Sequence, residues 1–217
     1  SFAANIANCD QTPTANIDGN KYTCTSNDTF DNSGGHTITH NNFIITTAGS
    51  NAVDVEIINS GTIVQDTHDS KPAINGNSSE NLKITNNSGG TIQSTTKTIN
   101  INNGTDAEIT NAGNITSQGA EGIKANGAGL KVTNSGTITA VNSPIKLENS
   151  ATNAIIINSG NIYGTNKKAI NIIGDNATIT NESGGLIRAG SDGSVDGTQV
   201  NAVLFNLGND SDYNGTL

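Results

Sequence analysis

Short runs in which every second residue is aliphatic recur along this chain, and each run ends in asparagine. They read VEIIN to Asn59, LKITN to Asn86, AEITN to Asn111, LKVTN to Asn134, AIIIN to Asn158 and ATITN to Asn181. Alternation with period two marks a half-buried strand, because successive side chains point to opposite faces. Leu130 and Val132 point one way while Lys131 and Thr133 point the other; Leu82 and Ile84 flank Lys83, and Ala107 and Ile109 flank Glu108, in the same manner. The pattern predicts an interior column of Ile57, Ile84, Ile109, Val132, Ile156 and Ile179, with Lys, Glu and Thr facing water. A slip of one residue would bury those charges, so the register is strongly specified.

Each asparagine is followed by a turn and a second aliphatic position, as in Ser60-Gly61-Thr62-Ile63, Ser135-Gly136-Thr137-Ile138 and Ser159-Gly160-Asn161-Ile162. Longer turns occur at Asn87–Ile92 and Glu182–Ile187, and looser copies at Asn32–Ile38 and Asn214–Leu217. A third short element separates these units: Ile99-Asn100-Ile101, Ile123-Lys124-Ala125, Ile145-Lys146-Leu147 and Ile170-Asn171-Ile172. Three strands therefore recur with the spacing of the asparagines, whose last three intervals are 23, 24 and 23 residues. One such unit alone buries almost nothing, but stacked units bury a continuous core. The predicted fold is all-β, a right-handed parallel β-helix with three sheets and about eight coils of roughly 23–25 residues. At about 4.8 Å per coil the rod is on the order of 40 Å long.

Asn and Gly tolerate the left-handed backbone that sharp bends require. Stacked in register, Asn59, Asn86, Asn111, Asn134, Asn158 and Asn181 are expected to hydrogen-bond from coil to coil as a ladder; the competing expectation is ordinary solvated turn residues. Two rival repeats fit less well. A leucine-rich repeat needs Leu positions and a helical segment that are missing, and the calcium-binding nonapeptide repeat is echoed once, at Ser191–Gly197, without iteration.

The ends differ from the middle. Residues 1–30 lack the clean repeat and are expected to form an N-terminal cap over an otherwise open sheet edge, leaving residues 31–217 as the β-helix repeats. Cys9 and Cys24, fifteen residues apart, suit one small disulfide loop, worth about 3 kcal/mol in the chain-entropy picture and implying an oxidising compartment. Leu217 falls where a core Ile normally sits, and the chain starts at Ser1, so it reads as a processed piece of a longer rod.

Composition adjusts this picture in two respects. Asn, Thr, Ile, Ser and Gly make up well over half of the 217 residues, aromatics are 3% and Trp is absent, so a wide three-dimensional core would be hard to fill whereas a narrow Ile/Val column is not. The net charge of −9 and a single arginine, Arg188, disfavour nucleic acid and anionic membrane surfaces, whose binding depends on Lys and Arg neutralising phosphates. The histidines His36, His40 and His68 show no ligand spacing with the cysteines. Asp54, Asp66 and Asp69 form an acidic group near His68, read as a surface loop. Glu56 and Glu108 occupy equivalent strand positions but alternate with lysines. No Gly-x-Ser-x-Gly is found, and the Gly119–Gly129 stretch lacks the strand-to-helix context of a phosphate loop. The reading therefore assigns no catalytic, cofactor-binding or metal-binding residue and no cofactor.

The iterated strand followed by Asn-Ser-Gly-Thr-Ile, at Asn59–Ile63, Asn134–Ile138 and, with Asn for Thr, Asn158–Ile162, resembles the passenger domains of bacterial autotransporters, the type V secreted surface proteins. The resemblance covers roughly residues 30–217. It implies a β-helix on the cell surface or secreted, exported through the outer membrane by a C-terminal β-barrel translocator that this chain does not contain. Many such proteins are adhesins, so the resemblance implies binding of a host surface or matrix ligand, or self-association between rods, through the solenoid faces. The rival expectations are a glycan-processing β-helix enzyme of the pectate-lyase or tailspike kind, which needs clustered carboxylates, and an inert stalk.

Overall fold

The computed structural model describes residues 5–42, 44–47, 51–66, 71–166, 168–190 and 203–205. Every described element is a strand of two to four residues, and the strands assemble into three parallel sheets. Sheet 1 has nine strands, from Asn5–Asn8 to Val203–Phe205; sheet 2 has seven, from Thr29–Asn32 to Thr178–Asn181; sheet 3 has eight, from Ile17–Asp18 to Leu186–Ala189. The chain visits sheets 1, 2 and 3 in turn, so neighbours in a sheet lie one coil apart in sequence. This is a three-sheet parallel β-solenoid of about seven turns.

Register is uniform along the stack. In sheet 2, Phe30, Ile57, Ile84, Ile109, Val132, Ile156 and Ile179 pair in succession and are at most 3% exposed. Sheet 3 files Ile38, Ile63, Ile92, Ile115, Ile138 and Ile162. Sheet 1 files Ile45, Ile74, Ile99, Ile123, Ile145 and Ile170. Because strands of this length present only one or two side chains inward, three opposed columns of mostly β-branched residues make up the apolar centre.

The corners explain the turn residues. Seven non-glycine or glycine positions standing two residues before each sheet-2 strand, Asn27, Asp54, Asn81, Asp106, Gly129, Asn153 and Asn176, all have positive φ. Asn, Asp and Gly meet least resistance there. Between sheets 2 and 3 the demand is closeness. A Cβ on Gly136 would lie 2.1 Å from the Gly113 carbonyl oxygen, and one on Gly160 would lie 2.1 Å from that of Gly136. Only glycine allows consecutive coils to approach this tightly.

The first thirty residues contribute to the same sheets. Asn5–Asn8 pairs with Asn20–Thr23, and Ile17 pairs with Ile38. Cys9 and Cys24 are joined by a disulfide and are fully buried, beside the tilted ring pair Tyr22–Phe30 at 4.7 Å. Asn214–Leu217, His68, Asp69 and the Ser191–Gly197 loop lie outside the described residues.

Candidate interaction surface

What each sheet shows to solvent follows from the same alternation. In sheet 2 the last inward residue of every strand is an asparagine, and six bonds connect seven of them. Asn32 Nδ2 donates to Asn59 Oδ1 at 2.8 Å, and the relay continues through Asn86, Asn111, Asn134 and Asn158 to Asn181 at 2.7–2.8 Å per step. Each amide also donates to a carbonyl of the Gly-containing corner, as Asn111 does to Gly113 at 3.1 Å and Asn158 to Gly160 at 3.1 Å. Asn32, Asn59, Asn86, Asn111, Asn134 and Asn158 are completely inaccessible. All six bonds run the same way, so each polarises the next. The ladder is interior, and it ties each coil to the next.

A second interior polar file, His40, Gln65, Ser94 and Ser117, follows the inner side of sheet 3. Gln65 Oε1 accepts from the Ser94 hydroxyl at 2.9 Å, and His40 Nδ1 accepts the Asn42 amide N–H at 2.7 Å. Burial pushes the His40 imidazole below its ordinary value, against the opposing pull of the Asn42 bond, Asp18 and Asp66. Asp66 follows a sheet-3 strand while Asp54 precedes a sheet-2 strand, so the fold places these two acids at different corners.

The outward faces differ in chemistry. After Asp18 on its first strand, sheet 3 shows Thr37, Thr39, Thr62, Val64, Thr91, Gln93, Asn114, Thr116, Thr137 and Thr139, an uncharged stretch. Farther along, the Arg188 guanidinium covers the Tyr163 ring at 4.3 Å. On sheet 1, Lys124 and Lys146 both reach Glu148, at 3.0 and 2.9 Å. Partial burial pushes that carboxyl up, but the bonds from Lys146 and Lys124 more than offset it and hold it below its ordinary value.

Sheet 2 carries a file of alternating charges. Its first outward file runs Thr29, Glu56, Lys83, Glu108, Lys131, Ile155 and Thr178. Lys131 Nζ lies 3.4 Å from Glu108 Oε1 with both side chains nearly half exposed. Beside this file the positive-φ turn residues Asp54, Asn81, Asp106 and Gly129 complete a shallow groove of about 510 Å³, closed at one end by Ile155. Asn81 Nδ2 donates to Asp54 Oδ1 at 3.1 Å. Ile155 is 42% exposed, one of two large apolar side chains so exposed among the described residues.

The groove therefore joins Glu108, whose alternation with lysines is visible in the sequence, to Asp106 and Asn81, which the strand pattern passes over. A signal for them exists: an Asn, Asp or Gly stands two residues ahead of every sheet-2 strand. Three carboxylates and two ammonium groups on a flat, rigid, open surface can form many weak ion pairs and hydrogen bonds at once. Among the described residues, no group of three or more His, Cys, Asp or Glu side chains is arranged to hold a metal ion. Compared with family models, curated proteins and solved structures, the chain matches none of them.

Proposed function

We propose that this solenoid is an adhesive rod of a bacterial autotransporter passenger, displayed on the cell surface or secreted, and that it binds through its outer faces and performs no catalysis. In the full-length protein a C-terminal β-barrel translocator carries it across the outer membrane. The observation that supports the reading best is the lattice itself. Polar side chains repeat at the coil spacing, about 4.8 Å, over three parallel sheets, one of which is held in register by an interior amide ladder. A rigid array of this kind loses little conformational freedom on docking, so many individually weak contacts sum to useful adhesion. The buried disulfide suits the same setting, because such bonds persist outside the reducing cytosol.

The test uses beads coated with the chain, scored for clumping and for capture on host cells or matrix protein. Clumping or capture above that of blank beads is expected. Beads indistinguishable from blanks in both assays would sink the reading. One observation favours a glycan-processing alternative: Asp54, Asp106 and Glu108 line one groove, and carboxylates on both sides of a sugar are what glycoside hydrolysis requires. Release of reducing ends from a polysaccharide panel, lost in Asp106→Asn, would favour that alternative over adhesion.

A further inference from the structure

We infer that the groove face of sheet 2 pairs with the same face of a second copy, the two rods antiparallel about a two-fold axis. That axis lies along the strand direction, between the strands Lys83–Asn86 and Glu108–Asn111. The inference rests on the adhesion reading and deepens it by naming the partner and the register.

The charge order carries it. Along the rod the outward file reads Glu56, Lys83, Glu108, Lys131. A two-fold interface is isologous, so if one position meets a second, the second meets the first. With the axis between the second and third members, Glu56 faces Lys131 of the other copy and Lys83 faces Glu108, giving four opposite-charge pairs. An axis on the Lys83 strand would set Lys83 on Lys83 and Glu56 on Glu108. An axis on the Glu108 strand would set Glu108 on Glu108 and Lys83 on Lys131. Axes one coil to either side leave at most two charged pairs and place a charge against Thr29, Ile155 or Thr178. Like charges in contact at an interface are strongly unfavourable, so the charge file selects one register.

The turn file agrees with that register, and the centre of the second outward file is uncharged. Because the axis runs along the strands, each file meets itself in reverse coil order. Asp106 then faces Asn81, whose amide can donate to it, and Asp54 faces Gly129, so no acid meets an acid. In the second outward file Thr85 faces Thr110 and Ile58 faces Thr133, while at the two ends of the interface Asp31 falls opposite Ile157. The exposed Ile155 is covered by the Thr29 end of the other rod. Parallel rods shifted by one coil also oppose Glu and Lys, but they make three pairs, not four, and such heterologous contacts propagate without closing.

Sedimentation velocity on the whole chain, at low and high salt, tests this with two double variants. The first, Lys83→Glu with Lys131→Glu, makes the file entirely acidic; the second, Glu56→Lys with Glu108→Lys, makes it entirely basic. Wild type is expected to form a closed dimer that weakens as salt screens the pairs. Each variant alone should dimerise at least about tenfold more weakly, and an equimolar mixture of the two should recover the dimer. Thr85→Cys mixed with Thr110→Cys should cross-link across the axis. Circular dichroism checks that every variant keeps its fold. The inference is overturned if wild type stays monomeric at all salt concentrations, if the all-acidic variant dimerises like wild type, or if folded variants fail to recover on mixing. Oligomers growing without limit would point to the shifted parallel packing and also overturn it. Monomeric protein whose beads still capture host cells would refute the pairing alone. A dimer of the stated register whose beads neither clump nor capture would refute the adhesion reading alone.

Discussion

Replacing Asn111 by alanine should destabilise this solenoid far more than replacing Asn181, although both end sheet-2 strands of the same design. Asn111 sits mid-ladder and fully buried. Its Oδ1 accepts from Asn86 at 2.8 Å, and its Nδ2 donates to Asn134 Oδ1 at 2.8 Å, to Gly113 O at 3.1 Å and to Thr137 O at 3.2 Å. Truncation removes the two ladder bonds, each worth about 1 kcal/mol net, and strips Asn134 Oδ1 of its ladder donor, a further cost of about 1–3 kcal/mol for a buried group. The expected loss is about 3–5 kcal/mol, a large fraction of the stability of an ordinary domain. Asn181 is exposed; it accepts from Asn158 at 2.8 Å and donates to Gly185 O at 2.8 Å, and water can replace what is lost. Its alanine variant should cost no more than about 1.5 kcal/mol. Urea unfolding followed by circular dichroism reads both, with unchanged m-values licensing the comparison. Asn111→Asp sharpens the test. An ionised aspartate at this site has no donor for Asn134 Oδ1, whereas the protonated acid does, so burial raises the folded-state pKa of that variant. Its stability should be greatest below the unfolded-state pKa and fall as pH rises through the folded one. Equal losses at positions 111 and 181, or an aspartate variant indifferent to pH, would refute the reasoning.

Other outcomes follow from the same structure. Gly136→Ala places a Cβ 2.1 Å from Gly113 O and should force adjacent coils apart, costing about 3 kcal/mol or more. Gly89→Ala, at φ +82 with nothing within 4 Å, should cost only the left-handed strain of about 1–2 kcal/mol by the same urea titration. Cys9→Ala with Cys24→Ala should lose about 3 kcal/mol and speed amide exchange across Asn20–Thr23, next to the bond. The depressed pKa of His40 means that its folded-state contribution is intact above the imidazole's unfolded value and is lost as pH falls through the folded one. Stability should therefore drop as pH falls from neutrality through and below the ordinary imidazole value, and the drop should shrink in His40→Gln, measured as urea midpoint against pH.

The period, the strands and the interior column were legible in the sequence, because a unit of three short strands hides its aliphatic side chains only by stacking on a copy of itself. Ile84, Ile109 and Val132 recur with one spacing and one parity, and no other arrangement buries them while leaving Lys83, Glu108 and Lys131 wet. The asparagine recurrence was legible as well; its depth was not. Asn59 and its equivalents are expected to bond from coil to coil, yet they stand next to a Ser-Gly turn that also suits a solvated residue, and only the closeness of the glycine corners shows that coil lies on coil tightly enough to exclude water. The groove was hidden for a related reason. Asp54, Asn81 and Asp106 are 25–27 residues apart, each looks like an isolated turn residue, and their proximity exists only across coils. Alternation along a strand is local and can be read from one copy. Which side chains become neighbours across coils depends on where each turn lets the next coil begin, and that is decided when the chain packs.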